Sequence, residues 1–181
     1  EQNIYRQKYA AVFDWFKKNT PSDSVVYANE DISGLLPVYT ANNVFYSRYA
    51  NLFIMFDRET EERFILNNFF ERIDRDFVIE QERSIWGVRY IDRYGDAVQA
   101  NKWRKILNLE LKDQTRLPES EIERILAVAG KIKKRSLKES LIKYRVDYFI
   151  WDKNKNPDWT LGKLNLKPVF NSEDIHIFKY D

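Results

Sequence analysis

Polar side chains follow two short apolar runs near the start of the sequence, at the point where each run ends. They are Asn29, Glu30 and Asp31 after the first run, 24–28, and Ser47 and Arg48 after the second, 44–46. If both runs are parallel strands, their carboxyl ends meet at one edge of a sheet, where α/β proteins usually bind ligands. We interpret these five residues as candidate ligand contacts. Under the alternative interpretation, Asp31 caps a helix and Glu30 pairs with a surface Lys or Arg.

A pair of acidic residues, Asp74 and Asp76, has the Asp-x-Asp form with which many nucleotide-sugar transferases hold a divalent cation. A metal-holding pair is expected at a strand end, whereas residues 69–73 before it favour a helix. We therefore interpret the pair as a solvated helix end. We predict neither a metal site nor another cofactor.

The absence of cysteine and the single histidine, His176, exclude thiolate nucleophiles, Cys-based metal sites and multi-His metal sites. His176 alternates with Ile175 and Ile177 in a predicted strand, so we interpret it as a surface or edge-strand residue and not as a catalytic base. No Ser-His-Asp set can be assembled from the sequence. We predict no catalytic residue.

Five tryptophans could stack on sugar rings, although most are expected to pack in the core or at its rim. Trp159 lies in a predicted loop and is therefore our sixth candidate ligand contact. The chain also has a dense basic stretch, whose most closely spaced cations are Lys131, Lys133, Lys134 and Arg135. These four residues could rest on anionic lipid headgroups or a lipid-linked diphosphate. The alternative is a solvated helix face.

Composition limits the class of protein further. The 181 residues are 44% hydrophobic, which suffices for one core, and the net charge of +2 is too small for a nucleic-acid partner held by phosphate neutralisation. Only five Gly and five Pro are present, so we expect long helices and few hairpins. No apolar run reaches the roughly 18 residues of a transmembrane helix.

Hydrophobic spacing predicts the elements that must position these residues. The first part of the chain has a helix over 3–19, a strand over 24–28, a short helix through Leu35 and Leu36 that Pro37 kinks or stops, and a strand over 44–46. The middle part has a helix over 58–72, a helical pattern of Val98, Trp103, Ile106, Leu107 and Leu111 ending near Lys112, and a helix over 119–129 stopped at Gly130. The last part has a helix capped by Ser136 and strands over 146–151, 166–170 and 175–180. Residues 171–174 connect the last two strands.

These elements predict one α/β domain over 1–181. Its mixed, mainly parallel sheet is flanked by helices, has the strand 146–151 in its middle, and ends in an antiparallel hairpin. Residues 58–130 form a helical insertion between the strands.

Three stretches together carry a resemblance to a known family. They are Val-Phe-Asp-Trp-Phe-Lys-Lys-Asn-Thr-Pro at 12–21, running into Ser-Val-Val at 24–26; Tyr-Arg-Val-Asp-Tyr-Phe-Ile at 144–150; and Leu-Lys-Pro-Val-Phe at 166–170 with Ile-His-Ile-Phe at 175–178. The chain resembles the soluble C-terminal domain of bacterial multipass membrane proteins of the C-type glycosyltransferase superfamily, which use polyprenyl-phosphate-linked sugars. The resemblance covers 9–48 and 137–180 but not the insertion.

The resemblance implies a place on the outer face of the cytoplasmic membrane, with transmembrane helices of the same chain before Glu1. The sequence does not begin with Met, and we accordingly expect it to be excised from a longer chain. In that superfamily the catalytic carboxylates lie in loops of the membrane part, so no active-site residue transfers to this chain.

Two functions follow as hypotheses. The first is a non-catalytic extracytoplasmic domain that assists a membrane glycosyltransferase by binding glycan, a lipid-linked sugar or an acceptor protein, or by assembly. The second is a small-molecule-binding or enzymatic α/β domain with a pocket at the carboxyl edge of the first two strands.

Overall fold

The computed structural model describes residues 7–49, 56–164 and 166–180, which form eight α-helices, one 3-10 helix and one five-stranded sheet. The strands are β1 Val25–Tyr27, β2 Asn43–Val44, β3 Tyr148–Asp152, β4 Lys167–Ser172 and β5 Ile175–Lys179. The helices are α1 Ala10–Asn19, α2 Glu30–Tyr39, α3 Asp57–Asn67, α4 Arg75–Glu80, α5 Glu82–Trp86, α6 Arg89–Ile106, α7 Glu119–Ile132 and α8 Leu137–Leu141, with the 3-10 helix at Leu161–Leu164. Residues 3–6 of the first predicted helix lie outside the described residues.

The sheet is mixed, with strand order β2-β1-β3-β5-β4. β1 is parallel to both β2 and β3, whereas β5 is antiparallel to β3 and β4. The predicted fold class is therefore confirmed, including the central strand and the C-terminal hairpin. Because β1, β2 and β3 run the same way, their carboxyl ends share one edge of the sheet.

Alternate residues of the central strands enter two cores, one on each face of the sheet. On one face, Val26 and Ile150 pack with α1 and α2. On the other, Tyr27 and Phe149 pack with helices of the predicted insertion, which contribute Phe64, Ile65, Leu66, Val78, Ile85, Ile122 and Ile125. The insertion thus covers one face of the sheet, because a sheet with two apolar faces must be covered on both.

Two residues predicted as helix stops do not end their helices. Pro37 lies inside α2, which continues to Tyr39, so of the two predicted effects of Pro37 the stop is wrong. A proline there removes one N–H, but the next turn still closes through Thr40 N to Leu36 O at 2.9 Å. Gly130 does not stop α7, which continues to Ile132 and is held by buried Ile125 and Ala129.

Three further predicted boundaries differ from the structure. The helix predicted over 58–72 ends at Asn67, and the pattern expected to end near Lys112 stops as a helix at Ile106. The hairpin connection is two residues, Glu173 and Asp174, and Glu173 has a φ of 38°.

The predicted Ser136 cap is confirmed, with Glu139 completing a capping box.

The residues that carry the family resemblance support the sheet. Thr20 Oγ1 donates to Phe16 O at 2.8 Å and accepts from Asn42 Nδ2 at 2.9 Å, which closes α1 against the start of β2. Asp147 accepts a hydrogen bond from Val25 N at 2.7 Å and donates its own N–H to Val25 O at 2.8 Å. These contacts fix the register between β1 and β3.

At the carboxyl end of β3, the fully buried carboxylate of Asp152 joins three parts of the chain. Its Oδ2 accepts from Lys8 Nζ at 2.7 Å and Tyr9 OH at 2.9 Å. Its Oδ1 accepts from the backbone N–H groups of Asn154 and Lys155 at 3.1 and 3.3 Å. Burial raises the pKa of Asp152, but the bonds from Lys8 and Tyr9 outweigh it, so the pKa lies below the ordinary value of 3.8.

We expect Asp152→Asn to lower the free energy of unfolding by about 2–4 kcal/mol at neutral pH, because it removes charge-assisted bonds from a buried network. A carboxyl whose pKa is lowered by folding stabilises the protein above its unfolded-state pKa and loses that effect as the pH falls through its folded-state pKa. The difference between wild type and variant should therefore shrink below about pH 4. Urea denaturation from pH 7 to pH 3 measures it.

The matched control for this experiment is Asp14→Asn, which removes an exposed carboxylate of α1 that pairs with Lys17 at 3.4 Å. It should change the free energy of unfolding by less than about 0.5 kcal/mol. Equal losses in the two variants would contradict the role given to Asp152.

Candidate functional site

A cavity of about 220 Å³ lies at the shared carboxyl edge of β1, β2 and β3, and we call it the strand-end pocket. Its amide side chains are Asn29, Asn67, Asn68 and Asn156. Its charged side chains are Glu30, Asp31, Glu71 and Lys155. Its aromatic side chains are Tyr46, Phe64 and Trp159. The pocket therefore combines hydrogen-bonding groups with an apolar wall, as small-molecule sites commonly do.

Asn29 links the two loops that form the sheet side of the pocket. Its Oδ1 caps α2 by accepting from Ile32 N at 3.1 Å, so the predicted capping role of Asp31 is wrong. Asn29, two positions before Asp31, has the extended backbone that a helix cap requires, and Asp31 lies inside the first turn of α2. Asn29 Nδ2 donates to Asn156 Oδ1 at 2.8 Å, which joins the β1–α2 turn to the loop after β3.

The loop after β3 is held in place by hydrogen bonds to its backbone and by one ion pair. Asn156 N donates to Asp152 O at 2.9 Å, and Asn156 O accepts from Trp151 Nε1 at 2.7 Å. Lys155 Nζ lies 3.3 Å from Asp31 Oδ2. The buried Asp152 carboxylate therefore positions two pocket residues through this loop.

Asn67 forms the opposite wall, at the end of α3. Its side chain is only 7% exposed, and its Oδ1 accepts no hydrogen bond from the described residues. The backbone here is fixed, because Tyr27 OH donates to Leu66 O at 2.8 Å and to Asn67 O at 3.1 Å. A buried carbonyl oxygen without a donor costs about 1–3 kcal/mol, and the described residues supply no donor to this one.

The charges in the pocket are mainly acidic. Three carboxylates and one ammonium line it. Glu30 also pairs with Arg48, with 3.2 Å between Oε1 and Nε. Burial raises the pKa of Glu30 above its ordinary value, Arg48 lowers it and Asp31 raises it further. A perturbed carboxyl in a cleft is typical of functional sites.

Trp159 does not offer a free ring face. It is 4% exposed, and its ring packs against Tyr27 and Phe70 at centroid distances of 5.4 and 5.7 Å. It therefore belongs to the apolar wall of the pocket. The exposed indole of the described residues is that of Trp103, which the sequence pattern had assigned to an ordinary helix stripe.

Four of the six predicted ligand contacts line the strand-end pocket: Asn29, Glu30, Asp31 and Trp159. Arg48 lines a neighbouring cleft of about 970 Å³, which Glu30 also borders. Ser47 lines neither, and its Oγ accepts from Tyr49 N at 3.3 Å. Glu30 does pair with a surface cation, as the alternative interpretation held, and it also lines the pocket.

The sequence reasoning missed the pocket residues that come from other parts of the chain. Lys155 and Asn156 follow β3, and their signal was the polar run 152–156 directly after a strand. Recognising it required knowing that β3 is parallel to β1. Asn67, Asn68 and Glu71 come from the insertion, and the adjacent asparagines at a helix end were their only local signal.

The other candidate motifs serve structure. Asp74 caps the start of α4 by accepting from Phe77 N at 3.0 Å, and so marks a helix beginning, not a helix end. Within the described ranges, no group of three acidic or histidine side chains is placed to hold a metal ion. His176 lies in β5, which has β3 on one side and β4 on the other, so it is not in an edge strand. Its Nδ1 is 2.6 Å from Asn171 Oδ1. Burial and Lys153 lower its pKa.

The basic stretch is exposed but not uniform. Lys133 Nζ donates to the backbone oxygen of Glu71, a residue of the strand-end pocket, and so connects the end of α7 to the pocket. Burial lowers the pKa of Lys133. Lys131, Lys134 and Arg135 have exposed side chains. Contact of these residues with lipid stays a prediction.

Among the helices described, none combines the length and apolar composition needed to cross a bilayer. No family model matches the chain, no curated protein matches it, and no solved structure matches it. The geometry of the strand-end pocket is therefore the main basis for a functional proposal.

Proposed function

We propose that this chain is a non-catalytic binding domain whose strand-end pocket holds one sugar unit of a glycan. The observation that carries the proposal is a pocket lined by four amide side chains, one of which, that of Asn67, has a buried Oδ1 with no donor among the described residues. A sugar hydroxyl can donate to it and accept from a neighbouring amide at the same time.

The size and the walls of the pocket support a ligand of this kind. Its volume of about 220 Å³ is below the roughly 300–1,000 Å³ of pockets for drug-sized ligands, which suits a single ring. The aromatic residues Tyr46, Phe64 and Trp159 also line the pocket, but each is at most 5% exposed, so the amide side chains are the main groups that a sugar would contact.

The charge of the pocket narrows the ligand class. Glu30, Asp31 and Glu71 line the pocket with one ammonium group, that of Lys155, while Arg48 pairs with Glu30 from the neighbouring cleft, so an anionic group gains no net attraction here. A neutral sugar is therefore favoured over the diphosphate of a lipid-linked sugar at this site.

We expect a matching monosaccharide to raise the melting temperature of the purified chain. Glucose, galactose, mannose and N-acetylglucosamine are the probes, with inorganic phosphate as the anionic comparison. At a concentration about 100 times Kd, binding stabilises the native state by about 2.7 kcal/mol. For a chain of this length, this corresponds to a rise of roughly 5–10 °C, measured by differential scanning fluorimetry.

Asn67→Ala should weaken Kd at least about tenfold, because it removes the acceptor, while ligand-free stability falls by less than about 1 kcal/mol. Asn42→Ala is the matched control. Asn42 is 5% exposed and its Oδ1 also has no partner, but it lies at the amino end of β2. Loss of the sugar response in both variants, or a response to phosphate alone, would contradict the proposal.

The second candidate is an enzyme acting at the same pocket, and the raised pKa of Glu30 favours it, since glycosidases use such a carboxyl as a general acid. We expect no release of nitrophenol from nitrophenyl glycosides by the purified chain. Release that Glu30→Gln abolishes would replace the binding proposal with the enzymatic one.

The wider proposal concerns the parent protein and rests on the sequence resemblance over 9–48 and 137–180. We propose that the domain serves a polyprenyl-phosphate-sugar-dependent glycosyltransferase on the outer face of the cytoplasmic membrane. Its partners would be the transmembrane portion of the same chain, and a glycan or a glycan-bearing acceptor protein.

The genomic sequence tests this wider proposal directly. We expect the gene to encode, before Glu1, a series of hydrophobic segments of about 20 residues each. An upstream cytosolic domain in their place would contradict the membrane context and leave the sugar-binding proposal to be judged by its own experiment.

A further inference from the structure

Five large apolar side chains are exposed together around the end of α6, and we call them the apolar tip. They are Trp103, Ile106, Leu107, Leu109 and Leu111, with exposed fractions of 69%, 73%, 64%, 49% and 49%. None of them lines the strand-end pocket or the neighbouring cleft. Contiguous exposed apolar residues of this size usually mark a surface that contacts another phase or molecule.

The helix that carries the tip is weakly covered along its length. α6 has 18 residues, of which only Tyr90, Ala97 and Asn101 are buried. At a rise of about 1.5 Å per residue, it is roughly 27 Å long. The tip is therefore at the end of a long helix and not above a core.

The segment after α6 is nevertheless firmly held. The side chain of Asn101, 3% exposed, donates from Nδ2 to Lys112 O at 2.8 Å and accepts at Oδ1 from Lys112 N at 2.8 Å. Two residues after the last residue of α6, Asn108 has a φ of 53°, which turns the chain away from the helix axis. Leu109 N donates to Arg104 O at 2.9 Å. A buried asparagine thus fastens a segment that presents leucines outward, which preorganises the tip for contact.

Cations are interleaved with the tip. Lys102, Arg104, Lys105 and Lys112 lie within or next to it, against the acidic Glu110 and Asp113. No carboxylate of the described part of the chain pairs with Lys102, Lys105 or Lys112. The lysine charges are therefore available to an anionic partner.

We propose that the apolar tip inserts into the surface of a bilayer containing anionic lipid. The combination of Trp with Leu and Ile, flanked by uncompensated lysines, is the pattern of interfacial membrane binding. The apolar side chains enter the headgroup boundary, and the lysines remain at the level of the lipid phosphates. This inference does not depend on the sugar-binding proposal, because the two surfaces share no residue.

A second protein is a weaker match for the same surface. Protein interfaces are depleted in lysine, whereas lysine near an anionic membrane gains favourable energy. Lipid also requires no groove and no shape complementarity from the protein, which fits side chains that line no described cavity.

Vesicle binding by the purified chain of residues 1–181 tests the proposal. We expect cosedimentation with vesicles of phosphatidylglycerol and phosphatidylcholine, weaker binding to phosphatidylcholine alone, and a blue shift of the fluorescence of Trp103. Bromine-labelled lipid should quench that fluorescence, and Trp103→Phe should remove the quenching. Replacing Leu107, Leu109 and Leu111 with Ser should weaken binding at least tenfold.

The charge requirement is measured with Lys102→Gln, Lys105→Gln and Lys112→Gln, each of which should weaken binding to anionic vesicles about fivefold. Val38→Ser and Lys18→Gln are the matched controls, since both side chains are exposed on other helices. Circular dichroism and melting temperature verify that each variant is folded. The controls should bind like wild type.

Three results would overturn the proposal. The first is a failure of wild type to bind anionic vesicles. The second is binding that depends on Lys131 and Lys134 of the basic stretch and not on the three leucines. The third is lipid-free dimerisation in analytical ultracentrifugation that the leucine variant abolishes, because the tip would then be an interface between copies of the chain.

Discussion

The fully buried carboxylate of Asp152 is a constraint on which several parts of this structure depend. A carboxylate without solvent must be met by donors, since an unpaired buried charge costs several kcal/mol. Here the donors come from Lys8 and Tyr9 before α1 and from the backbone of the loop after β3. A single charge consequently ties together the end of the central strand, the start of α1 and the loop on one side of the strand-end pocket.

The two surfaces to which we assign ligands differ in chemistry. The strand-end pocket is concave, acidic and lined by amides, whereas the apolar tip carries lysines and aliphatic side chains. The two surfaces share no residue, so the sugar and the bilayer that we propose as their ligands would not compete. This separation also lets each surface be altered alone.

Local patterns were sufficient for the architecture and for part of the site. The apolar runs around Val26 and Phe149 identified strands, and their order placed Asn29, Glu30 and Asp31 at the correct edge. Asn156 and Asn67 could not be placed, because their positions depend on pairing between segments more than a hundred residues apart and on how the insertion docks. Such long-range pairings leave no local periodicity in the sequence.

The apolar tip shows a second limit of pattern reading. The spacing of Trp103, Ile106 and Leu107 predicts an amphipathic helix, and an amphipathic stripe is ordinarily assigned to the core. Periodicity reports that one face is apolar, but it contains no information on what covers that face. In the described part of the chain, no element covers Trp103, Ile106 and Leu107, so the apolar spacing here belongs to an exposed surface.

The walls of the strand-end pocket come from two parts of the chain that are distant in sequence: the sheet edge and the end of α3. A partly folded form that keeps the sheet but releases the inserted helices has no pocket at all. Under the sugar-binding proposal, a ligand binds only when both parts are docked, and it opposes every local opening that separates them. Occupancy of this site and cooperativity of folding are thereby coupled, so that the bound state is also the state most resistant to hydrogen exchange and to proteolysis within the insertion.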